Sequence, residues 1–194
     1  MKIYLSILLL LSFAINGFAE DYNRFAQVKT VSCDFKMERY LAIAPQPLIS
    51  SGHFYFRQPD FLRWEYLEPQ KHGFLIDGKK AFSWQEEKGE KIIKDISGQP
   101  LARMMSDRLR MFISMDMEQI GKSYRLEPFA DGLDLIPLDI DNKQQQIAKI
   151  RLIFDAKLPT VTQTIIMEKS GEKTVITYFN NQLDQPIPDA ASVP

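Results

Sequence analysis

The sequence has little of the side-chain chemistry on which disulfides, zinc clusters and most enzymes depend. Its 194 residues include one cysteine and two histidines. A single cysteine can form neither an intramolecular disulfide nor a cysteine-based zinc cluster. We interpret Cys33 as a buried apolar residue, and pairing between chains or a reactive thiol is the alternative.

The two histidines, His53 and His72, stand in no hydrolase or zinc-enzyme motif. The sequence has neither a Gly-x-Ser-x-Gly turn nor a His-Glu-x-x-His pair, and no glycine-rich phosphate loop. An enzyme would have to use carboxylates such as Glu65, Glu68 and Asp77, but acidic residues at strand ends are ordinarily solvated surface. We expect a protein that has no catalytic residues and binds no cofactor or metal.

Long apolar runs are missing after the N-terminus. There, Lys2 precedes the apolar run Ile3–Ala14, and the small residues Gly17 and Ala19 follow it. This pattern predicts a cleaved signal peptide over residues 1–19, because the run is shorter than the roughly 20 apolar residues of a spanning helix. We expect an exported, periplasmic protein.

Charge of one sign is not in excess either. The 24 lysines and arginines nearly balance the 25 aspartates and glutamates. These charges are scattered along the chain, which argues against nucleic acid as a partner. Residues 20–194 suffice for one domain with a sizeable core, and we expect a single-domain monomer.

Short runs of β-branched and aromatic residues, by contrast, are abundant. Turn dipeptides, typical of antiparallel hairpins, separate many of them: Asp77-Gly78, Lys88-Gly89, Asp131-Gly132 and Ser170-Gly171. About eleven strands are predicted, more than an open sheet usually carries without strong curvature. They are Val31–Leu41, Ile49–Phe56, Phe61–Tyr66, Phe74–Ile76, Ala81–Trp84, Lys91–Ile96, Tyr124–Phe129, Leu133–Leu138, Ile147–Phe154, Val161–Glu168 and Lys173–Phe179. We therefore expect a mainly β protein, a curved antiparallel sheet that forms an incomplete β-barrel.

Two stretches interrupt the β pattern. Residues 20–28 predict a short helix. Between Gln99 and Gly121 the alternation fails and apolar residues recur every three or four positions, which predicts one or two amphipathic helices with an interruption at Asp107 or Ser114. Methionines are concentrated here, and their adaptability suits either a core or a surface that remodels around apolar ligands. The residues of this predicted lid helix are Leu101, Met104, Met105, Leu109, Phe112 and Met115.

Several predicted strands carry bulky apolar residues on one face. In Phe61–Tyr66, the residues Leu62, Trp64 and Tyr66 share one face because side chains alternate along a strand. Aromatic residues of neighbouring strands extend the stripe. The predicted lining of an apolar cavity is Phe54, Phe56, Leu62, Trp64, Tyr66, Phe74, Ile76, Phe82 and Trp84. The pattern is equally compatible with a packed core, and it does not fix the face that each strand pair occupies.

The stretch Gly52–Tyr66, followed by Glu68-Pro69 and by Phe74–Lys79, resembles the signature of the periplasmic lipoprotein carrier family LolA. The shared elements are a Gly-x-Phe-x-Phe-like strand, a basic-x-Pro turn, an aromatic Trp strand and an Asp-Gly-Lys hairpin. The specific motif covers Gly52–Trp84, and the order of elements fits nearly all of the mature chain.

The resemblance implies an incomplete β-barrel covered by helices, whose cavity accepts the acyl chains of lipoproteins. It also implies transient partners, an inner-membrane exporter and an outer-membrane acceptor, and no catalysis or cofactor. Residue by residue, Leu62 and Trp64 match the apolar strand, and Arg57 and Pro59 match the basic turn, so Arg57 is the predicted polar contact of the lid. The family places an arginine directly before this proline, where this chain has Gln58.

Two functions are compatible with these observations. The first is a carrier of lipid or lipoprotein acyl chains, in a divergent LolA-like paralogue. The alternative is a periplasmic sensor or adaptor that uses the same half-barrel to grip a protein segment, since the fold alone cannot separate the two.

Overall fold

The computed structural model describes residues 22–194, without the side chains of residues 100–106. The predicted signal peptide, residues 1–19, lies outside the described residues. Among the helices that are described, none is long and apolar enough to cross a lipid bilayer.

Within residues 22–194, eleven strands form one antiparallel sheet. The strands are β1 (Thr30–Tyr40), β2 (Leu48–Arg57), β3 (Phe61–Glu68), β4 (His72–Asp77), β5 (Lys80–Glu87), β6 (Glu90–Asp95), β7 (Tyr124–Phe129), β8 (Gly132–Pro137), β9 (Ile147–Phe154), β10 (Val161–Glu168) and β11 (Lys173–Leu183). Their order in the sheet is β6-β5-β4-β3-β2-β1-β11-β10-β9-β8-β7. The two edge strands, β6 and β7, do not pair with each other. The predicted incomplete barrel is therefore confirmed.

The first and last strands pair in the middle of the sheet. β1 and β11 run antiparallel from Val31 opposite Leu183 to Tyr40 opposite Lys173. This pairing joins two meanders, β1–β6 and β7–β11, into one sheet. It is a contact between distant parts of the chain, and it leaves β6 and β7 at opposite edges.

The predicted turn dipeptides form the expected hairpins. Gly78, Gly89 and Gly171 have φ angles of 60°, 82° and 89°. Glycine adopts this left-handed region at little cost, because it has no Cβ. The turns join β4 to β5, β5 to β6 and β10 to β11.

The helices also follow the prediction, apart from one boundary. Residues 22–26 are helical (α1), followed later by α2 (Pro100–Ile113), α3 (Met117–Gly121) and a short 3-10 helix (Asp189–Ser192). α2 ends at Ser114, and the Asp116 carboxylate caps α3 by accepting a hydrogen bond from the Gln119 amide at 3.1 Å. Of the two positions predicted for the interruption, Ser114 is confirmed and Asp107 is wrong, because Asp107 lies inside α2. An aspartate inside a helix can face solvent, and Asp107 is exposed.

The segment with α2 and α3 connects β6 to β7, and so it spans the open side of the sheet from one edge to the other. On one side of α2, Leu109 and Ile113 pack with residues of β1–β3. On its other side, Met111 and Phe112 pack with residues of β7–β9. We call the sheet face that α2 covers the concave face and the opposite face the convex face.

Candidate ligand-binding site

Alternate residues of β1, β2 and β3 build the centre of the concave face. Phe54 lies opposite Trp64, and Phe56 lies opposite Leu62, in the antiparallel register of β2 and β3. The ring centroids of Phe35 and Trp64 are 4.7 Å apart, and those of Phe54 and Trp64 are 5.3 Å apart. All five side chains are buried in one cluster. Here the sheet is apolar and aromatic.

The same face continues onto β4. Trp64 lies opposite Phe74 and Leu62 lies opposite Ile76, so these residues share a side of the sheet. Tyr66 also packs against the cluster. The structure thus brings together most of the predicted lining on one face: Phe54, Phe56, Leu62, Trp64, Tyr66, Phe74 and Ile76. Their contact with a ligand stays a prediction.

Phe82 and Trp84 require a correction, because both lie on the convex face. β5 directs Ala81 and Ser83 to the concave side, opposite Ile76 and Phe74. The Trp84 indole instead packs over Gly73, where its Cζ2 lies 2.6 Å from the position a Cβ would occupy. The missing side chain of Gly73 makes this space for the indole. The prediction that Phe82 and Trp84 line the cavity is therefore wrong.

The described part of α2 faces the concave side with the residues predicted for it. Leu109 packs on the cluster around Trp64, and Phe112 packs on the cluster of β7–β9, with its ring centroid 5.7 Å from that of Tyr124. Met115, after the helix, is 3% exposed. Leu101, Met104 and Met105 lie in α2, but their side chains lie outside the described residues. Motion of α2 as a lid stays a prediction.

The corner between α2 and α3 is a Schellman motif with an unusual residue. The Asp116 amide donates to the Met111 carbonyl at 3.1 Å, and the Met115 amide donates to the Phe112 carbonyl at 3.3 Å. Met115 has a φ of 48°, a left-handed conformation normally taken by glycine at this position. Its buried side chain offsets the backbone cost by packing into the core.

A cavity of about 810 Å³ opens beside this corner. We call it the mouth cavity; its lining residues come from α1, the β2–β3 turn, the end of α2 and the start of α3. They are Tyr22, Asn23, Ala26, Phe56, Gln58, Pro59, Arg110, Ser114, Met115, Asp116, Met117 and Glu118. Its volume lies within the range of about 300–1,000 Å³ typical of ligand sites. Phe56 belongs both to this cavity and to the cluster around Trp64, so the cavity adjoins the apolar centre of the concave face.

Gln58 and Arg57, which lie side by side in the predicted basic turn, make contacts in different places. The Gln58 side-chain amide donates to the carbonyls of Ala26 at 3.0 Å and Val28 at 2.8 Å, which ties the end of α1 to the β2–β3 turn. Arg57 points to the convex side, where its guanidinium lies 4.6 Å from the centroid of the Phe61 ring. The prediction of Arg57 as the lid contact is wrong, because successive residues of β2 face opposite sides.

Two polar side chains of the concave face, Cys33 and Tyr178, are held in their neutral form. Burial, and secondarily the charge of Asp34, raises the pKa of the Cys33 thiol from its ordinary 9.0 to about 12. Burial also raises the pKa of Tyr178, whose hydroxyl donates to Thr164 Oγ1 at 3.4 Å. The prediction of Cys33 as a buried residue is confirmed. Within residues 22–194, no three His, Cys, Asp or Glu side chains lie close enough together to hold a metal ion.

Sequence reasoning missed two features of this region. The sequence marks Gln58 only as a departure from a motif, whereas in the structure it anchors α1. Nothing in the sequence indicates that Arg110 and Asp116 line a cavity, since charged residues near helix ends are common on protein surfaces.

An open antiparallel sheet with an apolar concave face, a helix across its opening and a ligand-sized cavity at the helix end defines an incomplete, helix-covered β-barrel. The chain belongs to the outer membrane lipoprotein carrier protein family LolA, whose family model matches residues 26–191. Among curated proteins, no sequence matches this chain significantly.

Solved structures with similar folds share little sequence with this chain. The LolA superfamily protein NE2245 from Nitrosomonas europaea is 14% identical, with a TM-score of 0.49 over 90% of this chain and 94% of that chain. LprF from Mycobacterium bovis is 10% identical, with a TM-score of 0.45 over 89% of this chain and 94% of that chain. A chain of the Pseudomonas aeruginosa MucA/MucB complex is 11% identical, with a TM-score of 0.43 over 91% of this chain but only 59% of that chain.

Proposed function

We propose that this protein is a periplasmic, non-catalytic carrier that binds the acyl chains of lipoproteins or of another lipid on its concave face. It takes this cargo from an inner-membrane exporter and releases it to an outer-membrane acceptor. Membership of the LolA family supports the class of cargo. The observation that carries the proposal is the mouth cavity of about 810 Å³, which shares Phe56 with the apolar cluster around Trp64 on the concave face.

The described contacts of α2 with the cluster around Trp64 are weak enough for an acyl chain to replace. Leu109 and Ile113 are the described α2 residues in the cluster around Trp64, and both are only half-buried. Full burial of such a side chain contributes about 1.5–3 kcal/mol, and each buried methylene about 0.8 kcal/mol. An acyl chain of roughly ten methylenes therefore outweighs both contacts. In this proposal α2 moves aside as the cargo enters past Phe56.

Native mass spectrometry of the purified mature protein tests the proposal. We expect bound masses that correspond to acylated lipids, and uptake of lipid from vesicles by protein that has first been stripped of lipid. A protein that purifies empty and takes up no lipid would contradict the proposal. That result would favour the sensor or adaptor function, in which the same face binds a protein segment.

Two leucines provide a matched pair of variants for this measurement. Leu62 lies on the concave face and is 3% exposed, and Leu75 lies on the convex face and is 2% exposed. Leu62→Asn and Leu75→Asn each bury an amide and should reduce the free energy of unfolding by similar amounts. Only Leu62→Asn should reduce lipid uptake. Equal losses of uptake in both variants would point to stability rather than to binding at the concave face.

A further inference from the structure

The indole of Trp64 carries a buried hydrogen-bond donor in the middle of the concave face. Its side chain is 8% exposed, and its Nε1 has no hydrogen-bond partner in the described part of the chain. The Tyr66 hydroxyl interacts with the indole N–H, which partly offsets the rise that burial causes in the pKa of Tyr66, but the pair does not reach good hydrogen-bond geometry. The hydroxyl itself is directed toward the Met37 sulfur, 3.9 Å away. Because native proteins leave few buried donors without a good partner, this N–H is available for a hydrogen bond to a ligand.

The neighbouring polar groups are also donors with poor acceptors. Within the described side chains, the Tyr66 hydroxyl donates to the thioether sulfur of Met37, and sulfur is a weak acceptor. The Tyr178 hydroxyl donates to Thr164 Oγ1 over a long distance of 3.4 Å. This part of the concave face therefore offers hydrogen-bond donors to an incoming acceptor.

On β1 and β3, whose side chains are described, the charged residues nearest the indole are directed away from it. The charged residues next to it in sequence, Arg63 and Glu65, point to the convex face, and so does Asp34, which lies opposite His53. A carboxylate or an ammonium group beside the indole would be desolvated without a counter-ion, which is costly. A neutral acceptor such as an ester or amide carbonyl fits this environment.

The path from the mouth cavity leads to this donor. Phe56 lines the cavity, and Phe54, two residues earlier on β2, packs on the Trp64 ring. At about 3.3 Å per residue, the step between them is about 7 Å along the strand. A chain that enters over Phe56 therefore brings its linkage group within reach of the indole.

We propose that the Trp64 indole N–H donates a hydrogen bond to the carbonyl oxygen of an ester- or amide-linked acyl group, so that the protein selects acylated lipids over alkyl ethers. This inference rests on the proposed function and adds the chemical group that is recognised. A phospholipid and a lipoprotein share this carbonyl.

The test compares binding of a short-chain phosphatidylglycerol with two ester-linked chains and its dialkyl ether analogue of equal chain length. We expect wild-type protein to bind the ester about ten-fold more tightly, the effect typical of giving a buried donor its acceptor. Trp64→Phe should bind both lipids within about two-fold, because the ring is kept and only the donor is lost. Trp84→Phe, on the convex face, should retain the ten-fold preference.

The outcomes separate this inference from the proposed function. Wild-type protein that binds both lipids equally, or Trp64→Phe that keeps the preference, would overturn the carbonyl contact and leave the carrier function intact. Wild-type protein that binds neither these two lipids nor a synthetic diacylated lipopeptide would overturn both. Repeating the comparison with a synthetic diacylated lipopeptide tells whether a lipoprotein anchor or a phospholipid is the better source of the carbonyl.

A spectroscopic measurement keeps the inference testable if Trp64→Phe does not fold. In Trp84→Phe, Trp64 is the one remaining indole, because the sequence has two tryptophans. Its N–H proton resonance should move downfield on binding the ester lipid and much less on binding the ether. Equal movement with both lipids would contradict the contact.

Discussion

Trp64 and Trp84 lie on opposite faces of the same sheet. Trp64 packs in the cluster beneath α2, whereas Trp84 packs on the convex face with its ring 4.3 Å from the Arg63 guanidinium. The two faces thus have different chemistry. The concave face is apolar and partly covered by a helix. The convex face carries the buried guanidinium of Arg63, which binds the C-terminal residues Ala191 and Val193.

The contacts of Arg63 with the C-terminal residues predict that Arg63→Ala strongly reduces stability. Arg63 is 4% exposed, pairs with Glu65 at 2.9 Å, and donates to the carbonyls of Ala191 and Val193. Its loss leaves these acceptors without a donor, and we expect the free energy of unfolding to fall by about 3–5 kcal/mol. Urea denaturation measures the change.

Arg125→Ala is the matched control. Arg125 pairs with Glu127 at 2.8 Å, but its side chain is 62% exposed. Exposed ion pairs contribute about 0–1 kcal/mol, so this variant should be almost as stable as wild type. Similar losses in both variants would contradict the structural role of Arg63.

Gln58→Ala should loosen the end of α1. It removes two side-chain hydrogen bonds to the carbonyls of Ala26 and Val28, each worth about 1 kcal/mol. We expect faster hydrogen exchange at the Val28 amide, which donates to the Phe25 carbonyl, and faster lipid uptake through the mouth cavity. Gln70→Ala, which removes one exposed bond to the Glu86 carbonyl, should change neither rate. Unchanged exchange at Val28 in Gln58→Ala would count against the anchor.

The left-handed conformation of Met115 predicts an inverted order of substitutions. Met115→Gly and Met115→Ala both lose the buried side chain, but only alanine retains the strain of a φ of 48°. We expect Met115→Gly to be more stable than Met115→Ala by about 1 kcal/mol. At Arg108, inside α2 and exposed, alanine should be the more stable by about the same amount. Thermal denaturation of the four variants provides the comparison, and the same order at both positions would refute the motif.

Burial of Cys33 predicts both low reactivity and a pH dependence. Because the pKa of the folded thiol is raised from 9.0 to about 12, iodoacetamide should label it slowly at pH 8 in native protein and rapidly in urea. A raised folded-state pKa favours the neutral thiol, so its stabilising contribution is complete below pH 9 and is lost as the pH rises toward 12. The decline should be shallower in Cys33→Ala. Rapid labelling of the native protein would show that the thiol is not buried.

Local patterns predicted the strands and the helical segment well. The turn dipeptides fixed the hairpins, and the period of apolar residues separated α2 from the strands. The pairing of β1 with β11 could not be read from local sequence, because it joins residues far apart in the chain. It is nevertheless this pairing that makes α2 and α3 span the opening.

The site was predicted less completely, for reasons that are also non-local. The face of Trp84 depends on the space above Gly73 in the neighbouring strand, and alternation within β5 alone does not set it. Met115 occupies a position where sequence patterns lead one to expect glycine, because its packing outweighs its backbone preference. The role of Gln58 depends on carbonyls about thirty residues away.

The most direct test of lipid binding on the concave face uses the two tryptophans as separate reporters. Trp84→Phe leaves only Trp64 fluorescent, and Trp64→Phe leaves only Trp84. A lipid with brominated acyl chains, which quench indole fluorescence on contact, is then added to each variant. We predict strong quenching of Trp64 and none of Trp84 beyond that of free tryptophan at the same lipid concentration. Quenching of Trp84 with Trp64 unaffected would contradict the account.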